Sequence, residues 1–195
     1  MLTEVLKAFI TLFVIMDPFA AVPMFLGLTK GLPRREVKEN VINAISVAAA
    51  VLFLFLFFGL SILNLFNIGV NSFIIAGGIV LLILGIQAVL GIKFRKERVA
   101  DYDVASVPLG TPLITGPGVI TAVMIIVNEF GYAVAMVAAV ASLLLMWSFL
   151  FFSSKIHKAI GEHWSRVLSR VMGLLVSAIA VEFIRRGMNG ILGGV

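Results

Sequence analysis

The amino-acid sequence predicts an all-α polytopic membrane protein: six transmembrane helices built as a 3+3 inverted-topology repeat, with helices 1 and 4 discontinuous. Three observations carry this expectation. The 195 residues are 61% hydrophobic and 13% charged, with a mean hydropathy of +1.14, whereas a soluble domain is about half apolar and a quarter charged. Six apolar runs reach the roughly 20 residues a helix needs to cross a bilayer. Two of those runs are interrupted in the same way, half a chain apart.

The first run, residues 3–29, is apolar except at its centre, where Asp17-Pro18-Phe19-Ala20-Ala21-Val22-Pro23 stands. An acid at mid-bilayer depth costs about 2.5–3.5 kcal/mol on insertion scales. Proline removes a backbone donor and clashes with the preceding turn. This run is no signal peptide, because it lacks a basic leader, is too long and is interrupted. Runs 41–63 and 69–91 complete a first triplet. The fourth run, 106–127, contains PLGTPLITGPG at 108–118. Pro18 and Pro23 map onto Pro112 and Pro117, both 94 positions on (112 − 18, 117 − 23), and Asp17 falls on Thr111. Four of the six prolines belong to this pairing, so chance is a poor explanation. Runs 131–154 and 168–188 complete a second triplet. Aligning 77–91 with 172–186 pairs Gly78 with Gly173 and Gln87 with Glu182, at an offset of 95 (173 − 78). The chain thus divides into a first repeat (1–91), a cytoplasmic linker (92–105) and a second repeat (106–195), within one membrane domain.

Charge orients the runs. The segments 30–40 (Lys30, Arg34, Arg35, Lys38), 92–105 (Lys93, Arg95, Lys96, Arg98) and 155–167 with its flank (Lys155, Lys158, Arg166, Arg170) hold 12 of the 15 basic residues. The positive-inside rule puts these segments in the cytoplasm and both termini outside the cytoplasmic membrane. The first triplet then enters from outside and the second from inside, so the repeat is inverted, a transporter plan. The net charge of +5 reflects orientation and not a nucleic-acid surface. Absence of cysteine excludes disulfides and thiolate chemistry. His157 and His163 fit no metal motif, and their segment, with Trp164, reads as a helix on the headgroups. Glu129 reads as a solvated residue in a short outer loop, and Glu182 as the partner of Arg185 or Arg186 one turn on. Glycines such as 77, 78, 85 and 187 read as sites of close helix packing. Gly116-Pro117-Gly118 is not a nucleotide loop, since no strand precedes it and no lysine follows. No cofactor or metal is expected.

The interruptions carry the chemistry. Asp-Pro and Thr-Pro can start a helix, with Asp or Thr capping the free N–H groups and Pro at the first helical position. Alternatively Pro23 and Pro117 open the later half-helices, leaving 19–22 and 113–116 as unwound backbone. Either way, backbone groups that lipid cannot satisfy face the protein interior. Half-helix N-termini attract a carboxylate, while freed carbonyls or Asp17 attract an ammonium. A zwitterion offers both. Small residues and the neutral hydroxyls of Thr111 and Thr115, with no second acid or base nearby, point to a small neutral amino acid. The candidate substrate-binding residues are Asp17, Pro18, Phe19, Ala20, Ala21, Val22 and Pro23, with Thr111, Pro112, Leu113, Ile114, Thr115, Gly116, Pro117 and Gly118. Asp17 is the candidate for carrying a coupling proton, or else a cap that stays ionised. Asn40, Asn43 and Ser46 share a face near the inner end of the second span; Asn43 and Ser46 are candidates for a cytoplasmic entrance, against the commoner role of interhelical hydrogen bonds.

The segments IMDPFAAVPMF (15–25) and PLGTPLITGPGVIT (108–121) resemble the two signature segments of the MarC family, also called the small neutral amino acid transporter family. The likeness covers essentially the whole chain. It implies proton-coupled transport of glycine, alanine and similar amino acids across the cytoplasmic membrane, with Asp17 to Pro23 and Thr111 to Gly118 as the carried-over site. Other readings are export of amino acids, of other small metabolites or of drugs, and a channel built on the same half-helices. An intramembrane aspartyl protease would need two acids acting together, and only Asp17 lies deep, so an enzyme is not expected.

Overall fold

A computed structural model describes residues 1–91 and 114–193. The helices are α1 (Leu2–Met16), α2 (Pro18–Leu28), α3 (Arg34–Leu65), α4 (Val70–Leu90), α5 (Pro117–Phe151) and α6 (Ser153–Leu192). Among the described residues no strand occurs. Five stretches are long and apolar enough to cross a membrane: α1 with α2, then α3, α4, α5 and α6. The expected linker 92–105, the first part of the expected fourth span, and Thr111, Pro112 and Leu113 lie outside the described residues.

The expected break in the first span is present. α1 ends at Met16 and α2 begins at Pro18, with Asp17 between them in the left-handed region (φ 40°, ψ 73°). Two boundaries differ from the sequence reading. The part of the expected fourth span from Pro117 on, and the expected fifth span as far as Phe151, fall within one element, α5, whose helical dihedrals fail at Gly131 (φ 80°, ψ 171°). The connection expected at 155–167 is helical and belongs to α6, interrupted at Gly161 (φ 75°, ψ 165°). These dihedrals are essentially closed to residues with a Cβ. Among the described residues a Cβ at either position would meet nothing within 4 Å, so backbone conformation calls for glycine there.

The core is built where helices come close. α1 and α3 pack on α5, burying Leu12, Leu52, Leu56, Ile125 and Met146. The most extensive contact joins α4 to α6. Lipid-embedded helices associate without a hydrophobic drive, so small residues that allow backbone approach take its place. A Cβ built on Gly78 would lie 2.9 Å from the Ala180 carbonyl oxygen and 3.1 Å from the Ile184 nitrogen. A Cβ built on Gly173 would lie 2.9 Å from the Gly85 carbonyl oxygen and 2.9 Å from the Val89 nitrogen. These four neighbours obey the offset that relates Gly78 to Gly173, since 180 − 85 and 184 − 89 are both 95. The contact is therefore self-complementary, as two-fold interfaces are.

At the opposite end of α6 from Ser153, Arg186 donates from Nη1 to both carboxylate oxygens of Glu129, at 2.7 and 2.8 Å, and from Nε to Glu182 at 2.7 Å. Arg185 pairs with Glu182 as well. Glu129 is thus not simply solvated, as the sequence suggested. It ties α5 to α6 across 57 positions of chain, a partner that sequence spacing could not name.

Candidate functional site

The site begins with the way the first break is made. Asp17 cannot continue α1 in a left-handed conformation, which Asp tolerates better than most residues because its short side chain bonds locally. Its side chain then serves α2: Oδ1 accepts from the Ala20 N–H at 3.2 Å, and Pro18 occupies the first turn, where a missing N–H costs nothing. Of the two openings the sequence allowed, Pro18 and not Pro23 starts the second half-helix. Pro23 lies inside α2.

Pro23 has a consequence one turn back. A helical N–H at position 23 would bond the Phe19 carbonyl, but proline has none, and its ring crowds that carbonyl. The Ser165 hydroxyl of α6 donates to the Phe19 oxygen instead, at 2.9 Å. One turn further along α6, the Ser169 hydroxyl donates to Asp17 Oδ2 at 2.9 Å. Both carboxylate oxygens are therefore engaged, and α6 is stitched to the break at two points. The sequence reading did not single out either serine. Their i,i+4 spacing was the available signal, but no local pattern names partners 146 and 152 positions away.

The segment leading into α5 is built differently. α5 starts at Pro117, the second proline of its pair, and Gly116 stands before it at φ −76°, ψ 177°. Having no side chain, Gly116 leaves the N-terminus of α5 without the cap that Asp17 gives α2. Val119 and Ile120 bond back to the Gly116 carbonyl. Thr115, 2% exposed, donates to the Ala48 carbonyl of α3 at 3.1 Å, and so anchors the segment instead of facing a cavity.

The break at Asp17 and the start of α5 share one cavity of about 230 Å³. The first contributes Ile15, Met16, Asp17, Ala20, Ala21 and Met24. The second contributes Ile114, Gly116, Gly118 and Val119. Between them stand Leu81, Leu84, Gly85 and Ala88 of α4 and Gly173 and Val176 of α6. Leu81, Ile114 and Val119 are buried and form its depth, whereas Ala20, Met24 and Leu84 are exposed at its rim. Asp17 supplies the one ionisable side chain among these lining residues. Of the sequence-derived candidates, Asp17, Ala20, Ala21, Ile114, Gly116 and Gly118 meet there. Pro18 and Val22 are buried elsewhere, Phe19 packs edge-on against Phe149 with ring centroids 5.6 Å apart, and Pro23, Thr115 and Pro117 do not line the cavity. Asn43 and Ser46 are exposed on α3, away from the lining. The α4 and α6 walls were missed as parts of a site, because glycine, alanine and leucine look the same whether they pack or line.

Comparison with known proteins matches residues 2–192 to the family described as MarC family integral membrane protein. The chain belongs to the MarC family. It is 37% identical to a UPF0056 membrane protein of Methanocaldococcus jannaschii, covering 95% of this chain and 96% of that one. The UPF0056 membrane protein YvbG of Bacillus subtilis is 33% identical, covering 97% of this chain and 96% of its own. The UPF0056 membrane protein YhcE of Escherichia coli is 30% identical, covering 97% and 94%. No solved structure matches the chain. The MarC match agrees with the multi-pass helical architecture, and Asp17 and the start of α5 both lie inside the matched span.

Proposed function

We propose that this MarC protein is a secondary active transporter of small neutral amino acids, glycine and alanine foremost, working by alternating access at the cavity between the two breaks. The observation that carries the reading is the convergence of Asp17 with the N-terminus of α5 on one small cavity. A substrate ammonium is complementary to Asp17 and to the carbonyl end of α1. Its carboxylate is complementary to the uncapped N-terminus of α5, which carries partial positive charge. At 230 Å³ the cavity falls below the roughly 300–1,000 Å³ of pockets for drug-sized ligands, which disfavours drug export.

The proposal includes six spans arranged as two inverted triplets in the cytoplasmic membrane, both termini outside. The non-helical Gly131 would divide α5 into two spans. The reciprocal packing of Gly78 and Gly173 supports a pseudo-two-fold axis between α4 and α6. Met24 and Ala88 lie toward the ends of α2 and α4 that lead into basic segments, which supports a state open to the cytoplasm. Asp17 is the proposed proton carrier. Uptake of labelled glycine into proteoliposomes, with and without an imposed inward proton gradient, tests the reading. Saturable uptake driven by the gradient and competed by alanine, but not by lysine or glutamate, is expected. Non-saturable flux would favour a channel, and no flux in uptake, efflux or exchange would reject the substrate.

A further inference from the structure

Four glycines line the cavity, and three of them are there because other protein atoms need the room. A Cβ on Gly85 would stand 2.8 Å from the Gly173 carbonyl oxygen, one on Gly173 2.9 Å from the Gly85 carbonyl oxygen, and one on Gly118 2.5 Å from Leu81 Cδ2. Gly116 differs. Its φ of −76° and ψ of 177° form extended backbone open to any residue. Among the described residues, a Cβ built on it meets no atom within 4 Å. It also stands at a helix N-cap, where Ser, Thr, Asn or Asp would satisfy a free N–H that glycine leaves bare. Neither its backbone, nor packing among the described residues, nor helix capping explains a glycine there. What its missing side chain does is leave cavity volume empty beside the start of α5.

We infer that Gly116 is a specificity-determining residue, whose absent side chain sets the largest substrate side chain the cavity admits. The inference rests on the transport reading and deepens it, since it fixes where small is distinguished from large. The space beside Gly116 admits the hydrogen or methyl of glycine and alanine. A methyl supplied by the protein occupies the volume that a substrate methyl would need. One methylene in an apolar pocket discriminates roughly 10-fold or more.

The test measures labelled glycine uptake into proteoliposomes, and its competition by unlabelled glycine, alanine, serine and valine, for the natural protein, Gly116→Ala and Gly118→Ala. Gly116→Ala is expected to keep its thermal unfolding midpoint, while competition by alanine weakens roughly 10-fold relative to glycine. Gly118→Ala, which presses on Leu81, is expected to lower the unfolding midpoint without changing that ratio. A stable Gly116→Ala variant with the natural glycine-to-alanine ratio would overturn the filter and leave the transport reading intact. A Gly116→Ala variant that loses stability would overturn it as well, because the space would then be structural. A natural protein that takes up neither amino acid would remove the transport reading first, and this inference with it.

Discussion

Removing the hydroxyl of Ser165 should destabilise the protein only so long as residue 23 is proline. The Phe19 carbonyl loses its helical donor to Pro23 and receives one from Ser165 at 2.9 Å. Leaving a buried acceptor unpaired costs about 1–3 kcal/mol. Interhelical hydrogen bonds within membranes average nearer 0.6 kcal/mol, because alternative partners usually exist. Here the usual alternative, the N–H four residues on, is chemically absent, so Ser165→Ala should cost about 1.5 kcal/mol, above that average. In a Pro23→Ala background the N–H at position 23 returns to the Phe19 carbonyl, and the same Ser165→Ala change should cost less than about 0.5 kcal/mol. The coupling of about 1 kcal/mol exceeds the roughly 0.3–0.5 kcal/mol scatter of independent sites. Reversible unfolding in mixed micelles of the four proteins in the cycle measures it. By scaling for soluble chains of this length, Ser165→Ala alone should lower the unfolding midpoint by about 3–6 °C. An equal loss in both backgrounds would refute the compensation, and with it the account of how α6 holds the break.

Gly78→Ala and Gly173→Ala should destabilise by similar amounts, about 1–3 kcal/mol each, because each forces a methyl against a carbonyl oxygen and a backbone nitrogen at equivalent places on the facing helix; Gly27→Ala, which meets nothing within 4 Å among the described residues, serves as the neutral comparison in the same unfolding assay. Asp17→Asn keeps an acceptor for the Ala20 N–H and tolerates the left-handed conformation, so stability should change by less than about 0.5 kcal/mol while uptake loses its dependence on the proton gradient. Unaltered pH dependence of uptake in that variant would rule Asp17 out as the proton carrier. Arg186→Ala severs the tie from α6 to Glu129, whose partners are partly exposed, so a loss of at most about 1 kcal/mol is expected, shrinking at high salt.

The break at Asp17 was legible because an acid followed by two prolines in an apolar run disfavours an unbroken helix, and its duplication half a chain away pointed to a paired device. Which proline opens each half-helix was not legible, since Pro18 and Pro23 both suit a helix start. The structure chooses differently in the two places. Asp17 can cap a helix beginning at Pro18, and the described part of the second break begins its helix at Pro117. Gly78 was recognised as a packing residue and, with Gly173, as a repeat pair, but spacing along one helix cannot say which helix it meets. Glu129 and the two serines of α6 were misjudged or overlooked for the same reason. Their meaning lies in partners 57, 146 and 152 positions away. Thr115 was read as facing a ligand because a threonine beside Gly-Pro-Gly in an apolar run suggests it. Its hydroxyl instead satisfies the Ala48 carbonyl.

The absence of cysteine makes the central claim, that the two breaks hold the substrate between them, directly measurable. Ala20 is exposed at the cavity rim, and Ala20→Cys adds a single thiol beside Asp17. The rate at which a small thiol reagent labels that variant, in proteoliposomes, should fall saturably with added glycine or alanine, at the concentrations that half-saturate uptake, and should ignore lysine. Labelling that proceeds at the same rate under saturating glycine, in a variant that still transports it, would place the substrate elsewhere and contradict the account.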